Sequence, residues 1–319
     1  MRFLDLFSGI GGFRLGMETA GHTCVGHCEI DKFADRSYRA MHNVKESEWY
    51  ANDITRVEPE ELPEADCYCF GFPCQAFSIA GKRRGFEDTR GTLFFEVMRL
   101  ARERKPRLLF AENVRGLLSH EGGQTFGVIV STMDELGYDV EWQMLNSKHF
   151  GVPQNRERVF IVGHLRGTGG QKVFPVRCGD EVPDPKRLET EPGIPALTAT
   201  SYKGVSKRRG GLAIPVMTPN RPNKRQNGRR FKENGDEMFT LTAQDRQGVM
   251  VLDTSCKQGV LVGEKIRLLT PRECFRLQGF PDEYFNRAAA VNSDSQLYKQ
   301  AGNSVTVNVI YEIAKRLEA

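Results

Sequence analysis

No stretch of this 319-residue sequence approaches the roughly 18 consecutive apolar residues of a membrane span. A uniformly apolar leader is also missing, because Asp5 interrupts the opening Met-Arg-Phe-Leu-Asp-Leu-Phe run, so a cytoplasmic protein without membrane attachment is expected. Paired CxxC motifs are absent. The eight cysteines stand scattered at positions 24, 28, 67, 69, 74, 178, 256 and 274, which argues against zinc-type spacing, and no metal site is expected. Cys24, Cys28, Cys67 and Cys69 lie in apolar strand-like runs, where a reduced cysteine is a small core residue, and Cys274 reads the same way. Acidic residues are missing from 202–232, where ten Lys or Arg residues are interleaved with Gly, Pro and Asn. A solvated loop would account for such a run. Without helical periodicity, it also suits an extended surface for phosphates.

The sequence is otherwise that of an ordinary globular protein, 39% hydrophobic and 27% charged with a net charge of +4. From residue 1 to about 165, short apolar runs alternate with amphipathic stretches, the signature of an α/β sheet. Strands are expected at 2–7, 23–28, 66–71, 107–111, 139–145 and 158–165, and helices at 12–20, 32–41, 93–104 and 126–136. The last two strands leave no room for a crossover helix, which predicts antiparallel pairing at that edge. From 166 to 263 the composition turns to Gly, Pro, Thr and Arg, which marks a second, smaller, irregular domain. Inside it, Pro195-Ala-Leu-Thr-Ala and Phe239-Thr-Leu-Thr-Ala form a weak internal echo. Helical patterning returns from Ile266, with Thr270-Pro271 as a helix start and 304–317 as a final amphipathic helix expected to rejoin the first domain.

Several residues fall where open α/β sheets bind ligands, at the carboxyl ends of strands. Asp5-Leu-Phe-Ser-Gly-Ile-Gly-Gly12 places glycines between the first strand and the first helix, a turn that a ligand can approach closely. It departs from GxGxxG, so no pyrophosphate site follows. Glu29 ends the second strand about 20 residues after Gly9, where an acid accepts hydrogen bonds from ribose hydroxyls. Cys74 follows another strand in Gly71-Phe-Pro-Cys-Gln-Ala-Phe-Ser78, with Pro73 restricting the backbone before it. With Glu112 at the next strand end, Cys74 reads as a nucleophile with an acid partner. Arg156 and Arg158 stand two apart in Gln154-Asn-Arg-Glu-Arg158. At strand period they would share one face, a costly pairing of like charges unless an anion or carboxylate meets them.

In this order the motifs resemble those of the DNA (cytosine-5) methyltransferase family over nearly the whole chain. Asp5–Gly12 is similar to the family's first cofactor motif, Gly71–Ser78 to its Pro-Cys motif, Glu112-Asn113-Val114 to its Glu-Asn-Val motif, and the segment from Gln154 to its Gln-x-Arg-x-Arg motif. Leu269-Thr-Pro-Arg-Glu-Cys274 with Gln278-Gly-Phe-Pro281, and Gln300-Ala-Gly-Asn-Ser-Val305, are similar to its last two. The resemblance implies a Rossmann-like α/β sheet for an S-adenosyl-L-methionine-dependent bacterial or phage modification enzyme, with residues 1–165 and 264–319 forming the catalytic domain and 166–263 the target-recognition domain. It implies that Cys74 adds to C6 of a flipped cytosine in double-stranded DNA, that Glu112 protonates N3, that Arg158 contacts O2, and that Arg156 supports a closed loop. That loop would be residues 78–91. The cofactor would meet Phe7, Gly9, Gly11, Pro73, Asn303 and Ser304, with Glu29 on the ribose and Asp53 and Ile54 on the adenine. A monomer is implied, with a cognate restriction endonuclease acting separately. The rival readings are a tRNA cytosine-5 methyltransferase of the same fold and a non-catalytic DNA-binding relative.

Overall fold

The computed structural model describes residues 1–72, 93–176, 212–217, 232, 236–243, 246–252 and 264–317. The chain divides into two compact units, Met1–Leu145 with Glu157–Arg177 and Val309–Ala319, and Asn146–Arg156 with Cys178–Asn308.

The first unit is built on strands β1 (Arg2–Leu6), β2 (Thr23–Cys28), β3 (Trp49–Ala51), β4 (Cys67–Gly71), β5 (Leu108–Val114), β6 (Tyr138–Asn146) and β7 (Glu157–Leu165). They form one sheet in the order β3-β2-β1-β4-β5-β7-β6. The first five neighbours run parallel, and β7 lies antiparallel to β5. Antiparallel pairing is expected between the last two strands, β6 and β7; they are neighbours at this edge, and the antiparallel register seen is that of β7 with β5. Parallel strands covered on both faces read as continuous apolar runs, and β4 obeys this, with Cys67 to Phe70 all buried. Helices α1 (Gly12–Thr19), α2 (Lys32–His42), α3 (Leu93–Arg104) and α4 (Gln124–Glu135) stand close to their expected spans. Leu4, Leu6, Tyr68, Phe70, Leu109 and Ile161 lie in one core cluster with α3 residues Phe94, Val97 and Met98. Chain direction around the sheet changes at β1 and β4, where doubly wound sheets open a crevice at their carboxyl ends.

Two details differ from the expected pattern. The three-residue β3 is too short to carry a periodicity, and β5 runs on through Val114, so Glu112 is a strand residue paired on both sides and Asn113 one paired with β7. The five cysteines read as buried thiols, Cys24, Cys28, Cys67, Cys69 and Cys274, are buried and free. Burial pushes the Cys24, Cys28 and Cys274 thiols up to about 12, which keeps them protonated and inert.

The second unit carries an antiparallel sheet in the order β10-β9-β8, from β8 (Leu212–Met217), β9 (Gln247–Leu252) and β10 (Glu264–Leu268). Helices α5 (Pro271–Leu277), α6 (Asp282–Ala289) and α7 (Asp294–Asn303) follow. Thr270 starts α5 with a capping box closed by Glu273, and Pro271 supplies the fixed φ of a first helical position. The final helix, α8 (Val307–Ala314), is shorter than the 304–317 expected. Its end rejoins the first unit, where His22 Nε2 donates to the Ala314 carbonyl at 3.0 Å. Among the described residues no helix is long and apolar enough to cross a membrane.

Candidate active site

At the carboxyl ends of β1, β2 and β3 three elements converge. The turn after β1 holds Phe7 and Gly9 with φ of 56° each, a left-handed backbone that is uncommon for an aromatic residue and marks a locally strained turn. Glu29 sits directly after β2. Its Oε2 accepts from the Gly9 amide at 2.7 Å and its Oε1 from the Asp31 amide at 2.8 Å. Burial raises the Glu29 carboxyl above the ordinary glutamate range, against the lowering effect of those two amides. Asp53 follows β3 and uses Oδ1 to accept from Thr55 N and Thr55 Oγ1 at 3.1 and 2.7 Å. These bonds hold its carboxyl below the usual range.

This set fits the nucleoside part of the implied cofactor. The space beside Gly9 is open, with no atom within 4 Å of where a Cβ would stand. Ile30, between Glu29 and Asp31 in the sequence, is 75% exposed. Sequence reading passed over Ile30, although an isoleucine lodged between two acids at a strand end is a visible signal. Ile54 is different. Its side chain is 2% exposed and belongs to the core. Gly11 caps α1 with φ of 79°, and a Cβ there would stand 2.2 Å from His42 Nε2, so backbone and packing both call for glycine.

The second group lies at the end of β4 and β5. Pairing places Gly71 opposite Glu112 and, on the other side, Val114 opposite Arg158. Glu112 and Val114 share a face, so Arg158 is the diagonal neighbour of Glu112. The two side chains form an ion pair, with Arg158 Nε 3.0 Å from Glu112 Oε1 and side-chain exposures of 15% and 10%. Asn113, on the opposite face, donates from Nδ2 to the Phe72 carbonyl at 2.8 Å and accepts the Val114 amide on Oδ1 at 2.8 Å. It therefore fixes the peptide leading into Pro73. This residue too was missed as a functional candidate, because nothing in the sequence shows where its amide goes.

Arg156 goes elsewhere. It lies one residue before β7, so strand periodicity does not govern it, and it belongs to the second unit. Its Nη1 donates to the Leu241 carbonyl at 3.0 Å and its Nη2 to the Ser304 carbonyl at 2.7 Å, with the Gly302 carbonyl at 3.4 and 3.5 Å. At 3% exposure it is an internal clamp. Ser304 is buried and donates Oγ to the Val305 carbonyl at 3.1 Å, while Asn303, the last residue of α7, is exposed. Pro73 and Cys74 lie outside the described residues, as do loop 78–91, the echo at 195–199 and all of the basic run except 212–217 and 232.

A family model described as C-5 cytosine-specific DNA methylase matches residues 1–319. The type II methyltransferase M.HhaI of Haemophilus parahaemolyticus is 38% identical over 324 residues, covering 98% of this chain and 93% of its own. The orphan methyltransferase M.SPRI of Bacillus phage SPR is 33% identical over 434 residues, covering 99% and 97%. Among solved structures, the Dnmt2 methyltransferase of S. pombe aligns across 100% of this chain and 98% of its own with a TM-score of 0.70 at 19% identity, a likeness of fold.

Proposed function

Because the chain belongs to the C-5 cytosine-specific DNA methylase family, we propose that it methylates DNA through a covalent adduct of Cys74 with a cytosine rotated out of the duplex. The overall reaction is methyl transfer from S-adenosylmethionine to C5 of cytosine in DNA. The observation that carries the proposed mechanism is the Glu112–Arg158 pair, held by β5 and β7 beside Gly71, three residues before Cys74.

C5 of cytosine is a poor nucleophile until the ring is activated. Attack of the Cys74 thiolate on C6, with a proton moving from Glu112 to N3, leaves an enamine whose electron density lies at C5. Arg158 contacts O2 and holds Glu112 in place. Asn113 fixes the backbone that delivers Cys74. The cofactor supplies an electrophilic methyl group to C5. Loss of the C5 proton to a base then restores the C5=C6 bond as the Cys74 thiolate leaves, and N3 returns its proton to Glu112. Backbone from Phe7 to Gly11 would hold the methionine part, Glu29 the ribose, and Asp53 with the backbone of Ile54 the adenine. A stacked base is out of reach of these groups, so flipping is required, at a cost of a few kcal/mol.

Sequence recognition is assigned to residues 166–263, where the basic run supplies phosphate contacts. On this reading, with DNA as the substrate, the enzyme acts in the cytoplasm as a monomer. The type II designation of M.HhaI supports protection against a separate cognate restriction endonuclease, and the orphan designation of M.SPRI supports a solitary role.

The test is methyl transfer from labelled cofactor to duplex DNA and to tRNA. Transfer to DNA alone is expected, and Cys74→Ala should abolish it while duplex binding persists. Equal transfer to tRNA would reverse the substrate assignment, and 5-methylcytosine formation by Cys74→Ala would reject the covalent route.

A further inference from the structure

Residues 153–156 have almost no regular structure of their own, only a parallel bridge between Gln154 and Met238. Yet they meet residues 238–241 at successive positions. Met238 N donates to the Pro153 carbonyl at 2.8 Å and Asn155 N to the Met238 carbonyl at 2.9 Å. Thr240 Oγ1 donates to the Asn155 carbonyl at 2.6 Å. Leu241 is then held at both backbone polar groups by side chains, its amide donating to Gln154 Oε1 at 3.0 Å and its carbonyl accepting from Arg156 Nη1 at 3.0 Å. The other end of the Gln154 amide donates to the Leu277 carbonyl at 2.8 Å. Gln154 is fully buried.

The next residue is pinned from another direction. A Cβ on Gly302 would stand 2.3 Å from the Thr242 carbonyl carbon, so the backbone at Thr242 lies flush on Gly302. Thr242 and Ala243 are themselves exposed. A single bridge at Gln154 and Met238 pins the start of this irregular segment, and beyond it side chains must fix the register. A buried glutamine whose two amide ends join Leu241 to Leu277 does this.

We propose that Gln154 is a positioning residue for target recognition, fixing the backbone register at Thr240 and Leu241 so that Thr242 and Ala243 are presented to duplex DNA. This rests on the assignment of residues 166–263 to recognition. Loss of the Gln154 contacts should then weaken and blur DNA recognition rather than slow the chemistry.

The experiment uses the full-length enzyme and the target site mapped by bisulfite sequencing of DNA from expressing cells. Gln154→Leu should raise KM for duplex DNA about tenfold, the effect expected when a buried hydrogen-bonded pair is lost, and narrow the preference for the target over single-base variants. Its kcat at saturating DNA should stay within about twofold, and its cofactor Kd by calorimetry should match that of the parent enzyme. Gln154→Glu keeps the acceptor for Leu241 N and should fall between the two. If Gln154→Leu does not fold, Gln154→Glu and Thr240→Val, which deletes the bond to Asn155, carry the same prediction. A lower kcat at unchanged DNA KM, or parent-like KM and discrimination, would overturn the proposal. Neutralising Lys207, Arg208 and Arg209 with glutamine separates the causes. If that raises DNA KM while the Gln154 variants do not, only the register proposal fails; if neither does, the recognition assignment fails with it.

Discussion

Arg156 and Arg158 come from one short motif and carry the same charge, but they are held in opposite ways. Arg158 faces a carboxylate, Glu112, 3.0 Å away in the first unit. Arg156 donates to backbone carbonyls in the second, those of Leu241, Gly302 and Ser304. A buried pair of opposite charges is an expensive way to gain stability, since desolvation consumes most of the attraction, whereas leaving one partner unpaired is costly. A guanidinium whose hydrogens are spread over carbonyls ties distant segments together. The difference shows that two arginines at strand spacing need not share a task.

Replacing the two arginines gives the sharpest separation. Arg158→Ala should lower methyl transfer by roughly 100-fold, as when one preorganised donor is removed from a reacting group, and should destabilise the fold by about 3 kcal/mol by leaving Glu112 unpaired. Arg156→Ala should cost a similar stability, about 1–3 kcal/mol for each buried carbonyl left without a donor, with a smaller loss of kcat. Single-turnover rates and denaturant titrations on both variants test this. Equal loss of kcat from the two would erase the distinction.

A smaller effect is expected at Asn113. Asn113→Ala frees the Phe72 carbonyl, and kcat should fall about tenfold, the order of a mispositioned nucleophile, while cofactor Kd is unchanged. Asn113→Asp should be no better, because it keeps the acceptor and loses the donor. Recovery of activity in Asn113→Asp would show that the Phe72 contact is dispensable.

The smallest effect concerns pH and Glu29. Burial raises its carboxyl pKa above the ordinary 4.5, so the folded protein holds this proton more tightly than the unfolded chain. Two consequences follow in the window between 4.5 and the raised value. Stability falls as pH rises through it, because the ionised form is disfavoured in the fold. Cofactor affinity is expected to move the other way, because an ionised Glu29 on the ribose would accept both hydroxyls, and to weaken as pH falls. Calorimetry across acidic pH should show this slope, and Glu29→Gln should bind more weakly and flatten it. An unchanged slope in Glu29→Gln would remove Glu29 from the ribose site.

Much of the first unit was legible because local patterns settled it. The continuous apolar run at Cys67 to Phe70 announced a buried parallel strand, and the helix over Leu93–Arg104 has the span its periodicity predicted. Glu29 and Glu112 stand at or within strand ends, as the sheet architecture requires. What stayed hidden depends on long-range contact. The carbonyls that receive Arg156 belong to residues 241, 302 and 304, and no spacing within Gln154-Asn-Arg-Glu-Arg158 points to them. Strand β3 was too short to show a period. The amide of Asn113 reaches back to Phe72, a contact set by the pairing of β4 and β5.

The central claim is that Cys74 forms a bond to the target base, and duplex DNA carrying 5-fluorocytosine at the mapped site tests it most directly. Fluorine cannot depart as the C5 proton does, so the cycle should stop at the adduct. Mass spectrometry of the trapped complex should find the nucleotide on the peptide containing Cys74 and on no other cysteine. Failure to trap an adduct under conditions that methylate cytosine, or an adduct on a different cysteine, would contradict the account.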